Sequence, residues 1–562
     1  MTSSKTDIKP LPNAFGYIQT HYWDEADMTP AKPLVELEMT RLSAALRMKP
    51  SWHTKCRDQA ILAKWRAEAL DQAEHMKESH VDYVLKELEG YANLRDDETG
   101  AEVACYDRIW QSDRLVPAEL RSKLVEGVAK LENVPESEKD WHPRSNDMVL
   151  DLVHPSLYPI VYGRTLAYPD GHTDRDATKL EAIPPLPPPT SNRPSWYRDP
   201  SYSFSQKFQW LPTDFVVSDD GKSTKSISYI NNLHPDQHAE LHTVVEGLIG
   251  AFVPLFKRVL TDSIPSNKAV PARTNNYYSY QEDYKPQPDW RDYENRDDEY
   301  EELYKDWSDN RPINLPGVPS EGYVSGSLER RDTWYSLAGK TIQVIVKLAN
   351  IHLTPEKPKY EGGSWHVEGM SNEAIAVSGI YYYSEQNITE SRLAFRTAAS
   401  VPGRYEQNDE RGCKLTWGIS LNDPCVNELG AVVTSQDRTI AFPNIYQHKV
   451  SPFELEDKSK PGHRKIVALF LVDPAIRRPS TTTVPPQQQE WRSTAISANE
   501  TLKGAFNKLA PEIIDRVSSL AEGTMTLEEA KAYRLELMDE RKAFVTQNDE
   551  KYFEVAFDLC EH

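Results

Sequence analysis

His366 and Glu368 stand two residues apart in the run Gly362-Gly363-Ser364-Trp365-His366-Val367-Glu368-Gly369-Met370. On an extended strand this spacing turns both side chains to one face. An imidazole nitrogen and a carboxylate oxygen can then share a divalent metal. A second histidine, His448, follows 82 residues later in Phe442-Pro443-Asn444-Ile445-Tyr446-Gln447-His448-Lys449-Val450. Two histidines and one carboxylate make a facial ligand set with coordination positions left open, the set used by non-haem Fe(II) oxygenases. His-x-Glu alone is a weak signal in a chain with 15 histidines. Two neighbouring features strengthen it. Gly362-Gly363 permits close backbone approach beside a site. Arg464, 16 residues after His448, opens the apolar run Lys465-Ile466-Val467-Ala468-Leu469-Phe470-Leu471-Val472. A metal held by two neutral imidazoles and one carboxylate keeps net positive charge and favours an anionic chelate. A keto acid bound in this way would leave a distal carboxylate, which a guanidinium can pair bidentately.

The elements that must position these residues are dense between Thr341 and Asp473. Apolar alternation and turn signals predict strands near 341–352, 364–369, 374–384, 391–397, 413–419, 430–441, 444–454 and 464–472. Eight short strands imply a closed or double-sheet β architecture rather than βαβ units. Upstream, residues 33–132 show helical spacing, as in Leu34, Leu37, Leu42, Ala45 and Leu46. A further helical stripe, Leu241, Val244, Val245, Leu248 and Phe252, should kink or end at Pro254. The run Ile183–Pro189 is expected to be a stiff polyproline connector. Residues 275–310, rich in Tyr, Asp and Glu, are expected to form a surface insertion. Near the C-terminus, Thr526 and Glu529 form a capping-box pattern that opens a helix. The expected division is a mainly helical region over 1–155, a connector over 156–204, a β core over 205–480, and a linker with packing helices over 481–562.

The composition bounds the function. With 562 residues, 39% hydrophobic and 27% charged, the chain has room for a sizeable core. The net charge of −21 would repel a phosphate backbone, so nucleic acid is not expected as a partner. No run reaches the roughly 20 apolar residues that span a bilayer, so no membrane partner is expected either. The N-terminus lacks the apolar segment of a signal peptide. Five cysteines without CxxC spacing suggest neither a disulfide framework nor a zinc module. A reducing, intracellular setting, the cytoplasm first, is the expectation.

Several separate segments carry a resemblance over about residues 205–545. They are Ser228-Tyr229-Ile230-Asn231-Asn232-Leu233-His234-Pro235, Val346-Lys347-Leu348-Ala349-Asn350-Ile351, the Gly-Gly-Ser-Trp-His-Val-Glu-Gly-Met run, Phe442-Pro443-Asn444, Gly462-His463-Arg464-Lys465 and Val484-Pro485-Pro486-Gln487-Gln488. In these the chain resembles a large fungal domain-of-unknown-function family, the 4246 family. The resemblance implies an α+β protein with a double-stranded β-helix (jelly-roll, cupin-like) core, wrapped by N- and C-terminal helices. It implies an Fe(II)/2-oxoglutarate-dependent oxygenase that uses O2. Its metal ligands would be His366, Glu368 and His448, with Arg464 holding the co-substrate. The glutamate departs from the aspartate commoner in such oxygenases.

Around that centre, Lys347 and Asn350 are candidates for binding the keto acid. They are three residues apart, however, and a regular strand would not point both into one pocket. Tyr229, Asn231, Asn232, Tyr381, Tyr383 and Arg396 are candidates for the substrate pocket, each with a packing or turn role as the plain alternative. His463 should face away from Arg464. The expected reaction is oxidation, most simply hydroxylation, of an organic substrate. That substrate is a small or amino-acid-like molecule, and the acidic segment favours a cationic one. A free amino acid, a secondary metabolite and a protein side chain all fit. The rivals are a cupin-like metal-dependent isomerase or hydrolase and a non-catalytic interaction protein on the same fold.

Overall fold

The computed structural model describes residues 11–15, 30–169, 179–187, 200–491, 513 and 523–559. Pro188 and Pro189 of the proline run and Cys560 lie outside them. The elements that position the site are twelve strands: β1 (Glu102–Val103), β2 (Trp110–Ser112), β3 (Val149–Val153), β4 (Thr213–Val217), β5 (Thr224–Ser226), β6 (Thr341–Leu353), β7 (Ile375–Gln386), β8 (Ser391–Ala398), β9 (Val426–Thr434), β10 (Thr439–Pro443), β11 (Gln447–Val450) and β12 (Gly462–Val472). One sheet runs β1-β2-β10-β7-β12-β6-β4-β5, with β3 also on β6, and its pairings are antiparallel. A second sheet runs β9-β8-β11. The chain is thus a mixed helix and antiparallel-sheet protein.

Strict alternation sorts the large sheet into two faces. Ile345 on β6, Ile380 and Tyr382 on β7, Ile440 and Phe442 on β10, and Ala468 and Phe470 on β12 share one core with Leu393 and Phe395 of β8 and Leu429 and Val432 of β9. This interior face joins the two sheets. Val344, Val346 and Leu348, with Val377, Tyr381, Tyr383, Val467 and Leu469, turn the other way, toward a long helix.

The α-helices of eight or more residues among those described are α1 (Leu34–Arg47), α2 (Gln59–Gln72), α3 (Glu78–Leu94), α4 (Ala118–Glu132), α5 (Ala239–Ser263), α6 (Asp297–Asn310), α7 (Glu410–Trp417) and α8 (Leu527–Asn548). α5 runs through Pro254 instead of stopping there. A proline inside a helix costs about 3 kcal/mol. Leu248, Phe252, Leu255, Phe256 and Val259 are fully buried on the sheet side, and each contributes about 1.5–3 kcal/mol. Packing therefore outweighs the lost hydrogen bond. A second correction concerns 413–419, expected as a strand. It lies largely in α7, bracketed by Asp409, whose carboxylate accepts from Gly412 N, and by Gly418 at φ +71°. The single strand expected over 430–441 is β9 and β10 with a turn between them. In place of a regular 364–369 strand there is an isolated bridge, His366 to His448.

The acidic insertion lies at the surface: α6 buries none of its residues. The capping box opens α8 as expected, with reciprocal Thr526 and Glu529 hydrogen bonds. Among the described residues, no helix is long and apolar enough to cross a membrane.

Candidate metal centre

His366 and His448 are brought together by backbone pairing. His366 N donates to His448 O at 3.2 Å and His448 N to His366 O at 3.0 Å. The preceding glycine makes this approach possible. Gly362 has φ +89°, and a Cβ there would lie 2.8 Å from Val450 O. Gly363 N donates to that same carbonyl at 3.0 Å. Asn444 fixes the other end, accepting from Glu368 N and donating to Glu368 O, each at 2.9 Å.

The three ligand-type atoms of His366, Glu368 and His448 lie within 4.8 Å of one another. Glu368 Oε1 is 3.3 Å from His448 Nε2 and 3.8 Å from His366 Nε2. Ligands at about 2.1 Å from one metal in adjacent positions stand roughly 3 Å apart, so modest closure around an ion suffices. Protonation also suits a cation. His366 Nδ1 sits 2.8 Å from Ser364 O. A carbonyl only accepts, so Nδ1 carries the proton and Nε2 keeps its lone pair. Burial pushes His366 down to about 4, helped by the charge of His448. For Glu368 burial acts upward, but the His448 hydrogen bond and the charges of His366, His448 and Lys347 overcome it, leaving the carboxyl at about 2. His448 is buried, packed on Phe442 with ring centroids 4.9 Å apart, and its Nδ1 has no partner. Packing on Phe442 and the Nε2 contact with Glu368 orient it.

Arg464 is 2% exposed, on β12 opposite Ile351 of β6. That register puts it on the interior face with Lys347 and Ala349. Its guanidinium lies over the Phe453 and Tyr382 rings at 4.9 and 5.5 Å and donates to Ser391 Oγ on β8. Nε has no partner, and no ion pair joins it to Glu385 across the strand. Burial accordingly pulls the guanidinium below its usual range. Glu385 offsets this charge through space, but among the described residues no carboxylate ion-pairs with the guanidinium, and a buried cation paired in this incomplete way is expensive. His463 faces away, its Nε2 2.9 Å from Ser384 Oγ.

The remaining sequence candidates separate. Lys347 is half-buried on the interior face, and its charge acts on both His366 and Glu368. Asn350 points to the opposite face, bonded to Glu132 at 2.6 Å and Tyr383 at 3.1 Å. Tyr381 and Tyr383 lie on that helix side as well. Strand parity therefore removes all three from the pocket. Tyr382, between them, is the tyrosine that faces Arg464. Tyr229 donates to Val484 O, Asn231 to Tyr158 O, and Asn232 to His154 O and Leu157 O. These three hold loops together. Arg396 is engaged by Gln447 and Glu554 and lies 4.9 Å from the Trp365 ring, away from the triad carboxylate.

A second group, His142, Asp151 and His154, also gathers its ligand-type atoms within 4.8 Å. Sequence reasoning missed it. Asp151-x-x-His154 is a weak cue, and His142 joins only through the fold. Its hydrogen bonds differ from those of the first group. His154 Nδ1 accepts from Ser156 N at 3.2 Å, so a neutral His154 carries its proton on Nε2 and has no lone pair there for a metal. His142 Nδ1 is 2.8 Å from Asp151 Oδ2. This group is a carboxylate flanked by imidazole donors. A separate cavity of about 570 Å³ lined by Arg47, Arg95, Arg392 and Arg438 holds no triad residue. These four are engaged locally, for example Arg438 by Asp113 at 2.6 and 2.7 Å, and Arg41 also lines the cavity.

Fold and site together define an α+β protein with a candidate metal-binding triad and a buried arginine on the same interior face. A family model described as "Protein of unknown function (DUF4246)" matches residues 78–495, and its N-terminal companion matches residues 7–68. The chain belongs to the DUF4246 family. No curated protein matches it. Similarity to solved structures is distant. An Fe(II)/α-ketoglutarate-dependent dioxygenase, TqaL, is 8% identical over 76% of this chain and 90% of its own, with TM-score 0.23. IDO from Bacillus thuringiensis is 14% identical over 25% of this chain and 48% of its own, with TM-score 0.16. Oxalate decarboxylase from Lactobacillus farciminis is 9% identical over 31% and 38%, with TM-score 0.11. This chain spans about half the length of IDO. These likenesses are too distant to bear on function.

Proposed function

We propose that this protein is a non-haem Fe(II)- and 2-oxoglutarate-dependent oxygenase acting on an organic substrate. The observation that carries the proposal is the pairing, on one interior face, of a metal-competent triad with a buried guanidinium that forms no direct ion pair among the described residues. Strand orders β6-β12-β7-β10 and, facing it, the His366 segment-β11-β8-β9 support a double-stranded β-helix as the scaffold.

In this proposal His366, Glu368 and His448 hold the iron, and Arg464 receives the far carboxylate of the keto acid. When bound, the pair supplies oxidative decarboxylation of 2-oxoglutarate to succinate and CO2, coupled to oxidation of the substrate. The protein contributes position and exclusion of water. Ser364 O fixes the His366 tautomer, Asn444 clamps Glu368, and the Leu393, Phe395 and Phe442 side chains keep the interior beside His448 apolar. Arg464 favours this chemistry over a cupin-like isomerase or hydrolase, which has no need of a distal cation.

Fe(II) and then 2-oxoglutarate, added anaerobically to metal-free protein, should give a weak visible charge-transfer band only after the keto acid. His366→Ala and His448→Ala should lose iron and band together. A folded, iron-loaded protein without the band would overturn the proposal.

A further inference from the structure

β3 is an extra strand laid along β6 beside the triad face. Asp151 pairs with Ala349, and a bulge follows at Leu348. Ala349, Lys347 and Arg464 share the interior face, so the Asp151 side chain belongs to the same wall. Three polar groups there are incompletely used. Asp151 has a side chain 1% exposed and accepts from His142 through Oδ2, while its buried Oδ1 has no partner. His154 is buried and carries its proton on Nε2, as argued above. Lys347 makes no hydrogen bond or ion pair among the described residues, although its charge reaches Asp151, His154, His366 and Glu368. Arg534, committed to Asp140 by two hydrogen bonds of 2.6 and 2.9 Å, closes the far side at 3.8 Å from Asp151.

An unpaired carboxylate oxygen and an unpaired ammonium on one wall, the ammonium's charge reaching the triad, describe the negative of a zwitterion. We propose that Asp151, His154 and Lys347 form a substrate subsite on this interior wall, and that it takes a free α-amino acid. Asp151 Oδ1 receives the α-ammonium, and Lys347 with His154 Nε2–H receives the α-carboxylate. The side chain is left facing the triad. The location beside the triad gives the subsite its role, so the inference rests on the oxygenase proposal for its chemistry but not for binding. A buried unpaired oxygen costs about 1–3 kcal/mol, and a donor from the ligand removes that cost. Desolvated charges on both sides also explain selectivity, because a neutral amide or N-acetyl derivative leaves one of them unpaired.

The test is calorimetric titration of the full chain with each of the twenty L-amino acids, with and without Fe(II) and 2-oxoglutarate under anaerobic conditions. At least one amino acid should bind, and its amide and N-acetyl derivatives should bind at least tenfold more weakly. Asp151→Asn should reduce affinity for the amino acid at least tenfold. Lys347→Met should abolish the preference for acid over amide, a change that a merely structural role would not produce. Melting curves check that both variants fold, and the half-buried Lys347 position keeps the test usable if Asp151→Asn does not. No binding by any amino acid under either condition, or equal binding of the blocked derivatives, overturns the inference. The charge-transfer band with 2-oxoglutarate alone judges the oxygenase proposal separately. Amino-acid binding without that band would leave the subsite standing and remove the reaction.

Discussion

Among the described residues Arg464 is buried with no direct ion pair, its cross-strand neighbour Glu385 acting only through space, and this separates its structural from its functional value. Replacing a buried, uncompensated charge with an apolar group of similar volume is often neutral or stabilising. Arg464→Met should therefore leave the melting temperature of the metal-free protein unchanged or raised. The same change should weaken 2-oxoglutarate binding by roughly 30-fold or more, the equivalent of about 2 kcal/mol for a lost buried charge pair. A lowered melting temperature with unchanged co-substrate affinity would make Arg464 a structural residue. The triad types and Arg464 could be picked out in the sequence because their chemistry is distinctive and a two-residue spacing fixes a shared side. Asn350, Tyr381 and Tyr383 could not be rejected there, because strand register, and with it the choice of face, is set by partners far away in the chain. Asp151 and His154 were hidden for the same reason: nothing local says that β3 is laid against β6.

At the scale of elements, α5 comes close to the large sheet where β7 has a glycine. A Cβ on Gly379 would stand 2.8 Å from Phe252 and 2.9 Å from Phe256. Gly379→Ala should push helix and strand apart and cost about 1–3 kcal/mol, as overpacking does. Chemical denaturation checks this, and an unchanged midpoint would mean that the two phenylalanines repack freely. Most strands were legible because alternation over 341–352, 374–384 and 464–472 is long and strongly apolar. α7 was misread because Cys413, Leu415 and Trp417 imitate alternation over a short stretch. Asp409 and Gly418, the caps at either end, were the better signal. α5 shows the converse. Pro254 is a correct local warning, overruled by burial that only the packed structure provides.

The whole molecule carries many histidines kept neutral by burial. His80, His154, His238, His242, His352, His366 and His463 are all pushed below the usual imidazole range with burial as the leading cause, His463 to about 4. Between that value and the ordinary 6.5, the unfolded chain binds protons that the folded chain refuses. Stability is therefore fully present above about pH 6.5 and falls as pH drops toward 4. Melting temperatures measured from pH 7.5 to 4.5 should decline across this window, and His463→Gln should make the decline shallower. A flat profile would mean that these imidazoles titrate normally in the folded state.

Enclosure of Arg464 also sets a timetable. Its guanidinium lies between Phe453 and Tyr382 and against Ser391, and in the proposed site a diacid that bridges the metal and Arg464 lies past the triad. An amino acid seated against Asp151 and Lys347 would obstruct that passage. Arrival should then be compulsorily ordered, co-substrate before substrate, and an excess of substrate should inhibit by trapping the empty enzyme. Initial-rate patterns that instead show random arrival would mean a second entrance to the arginine.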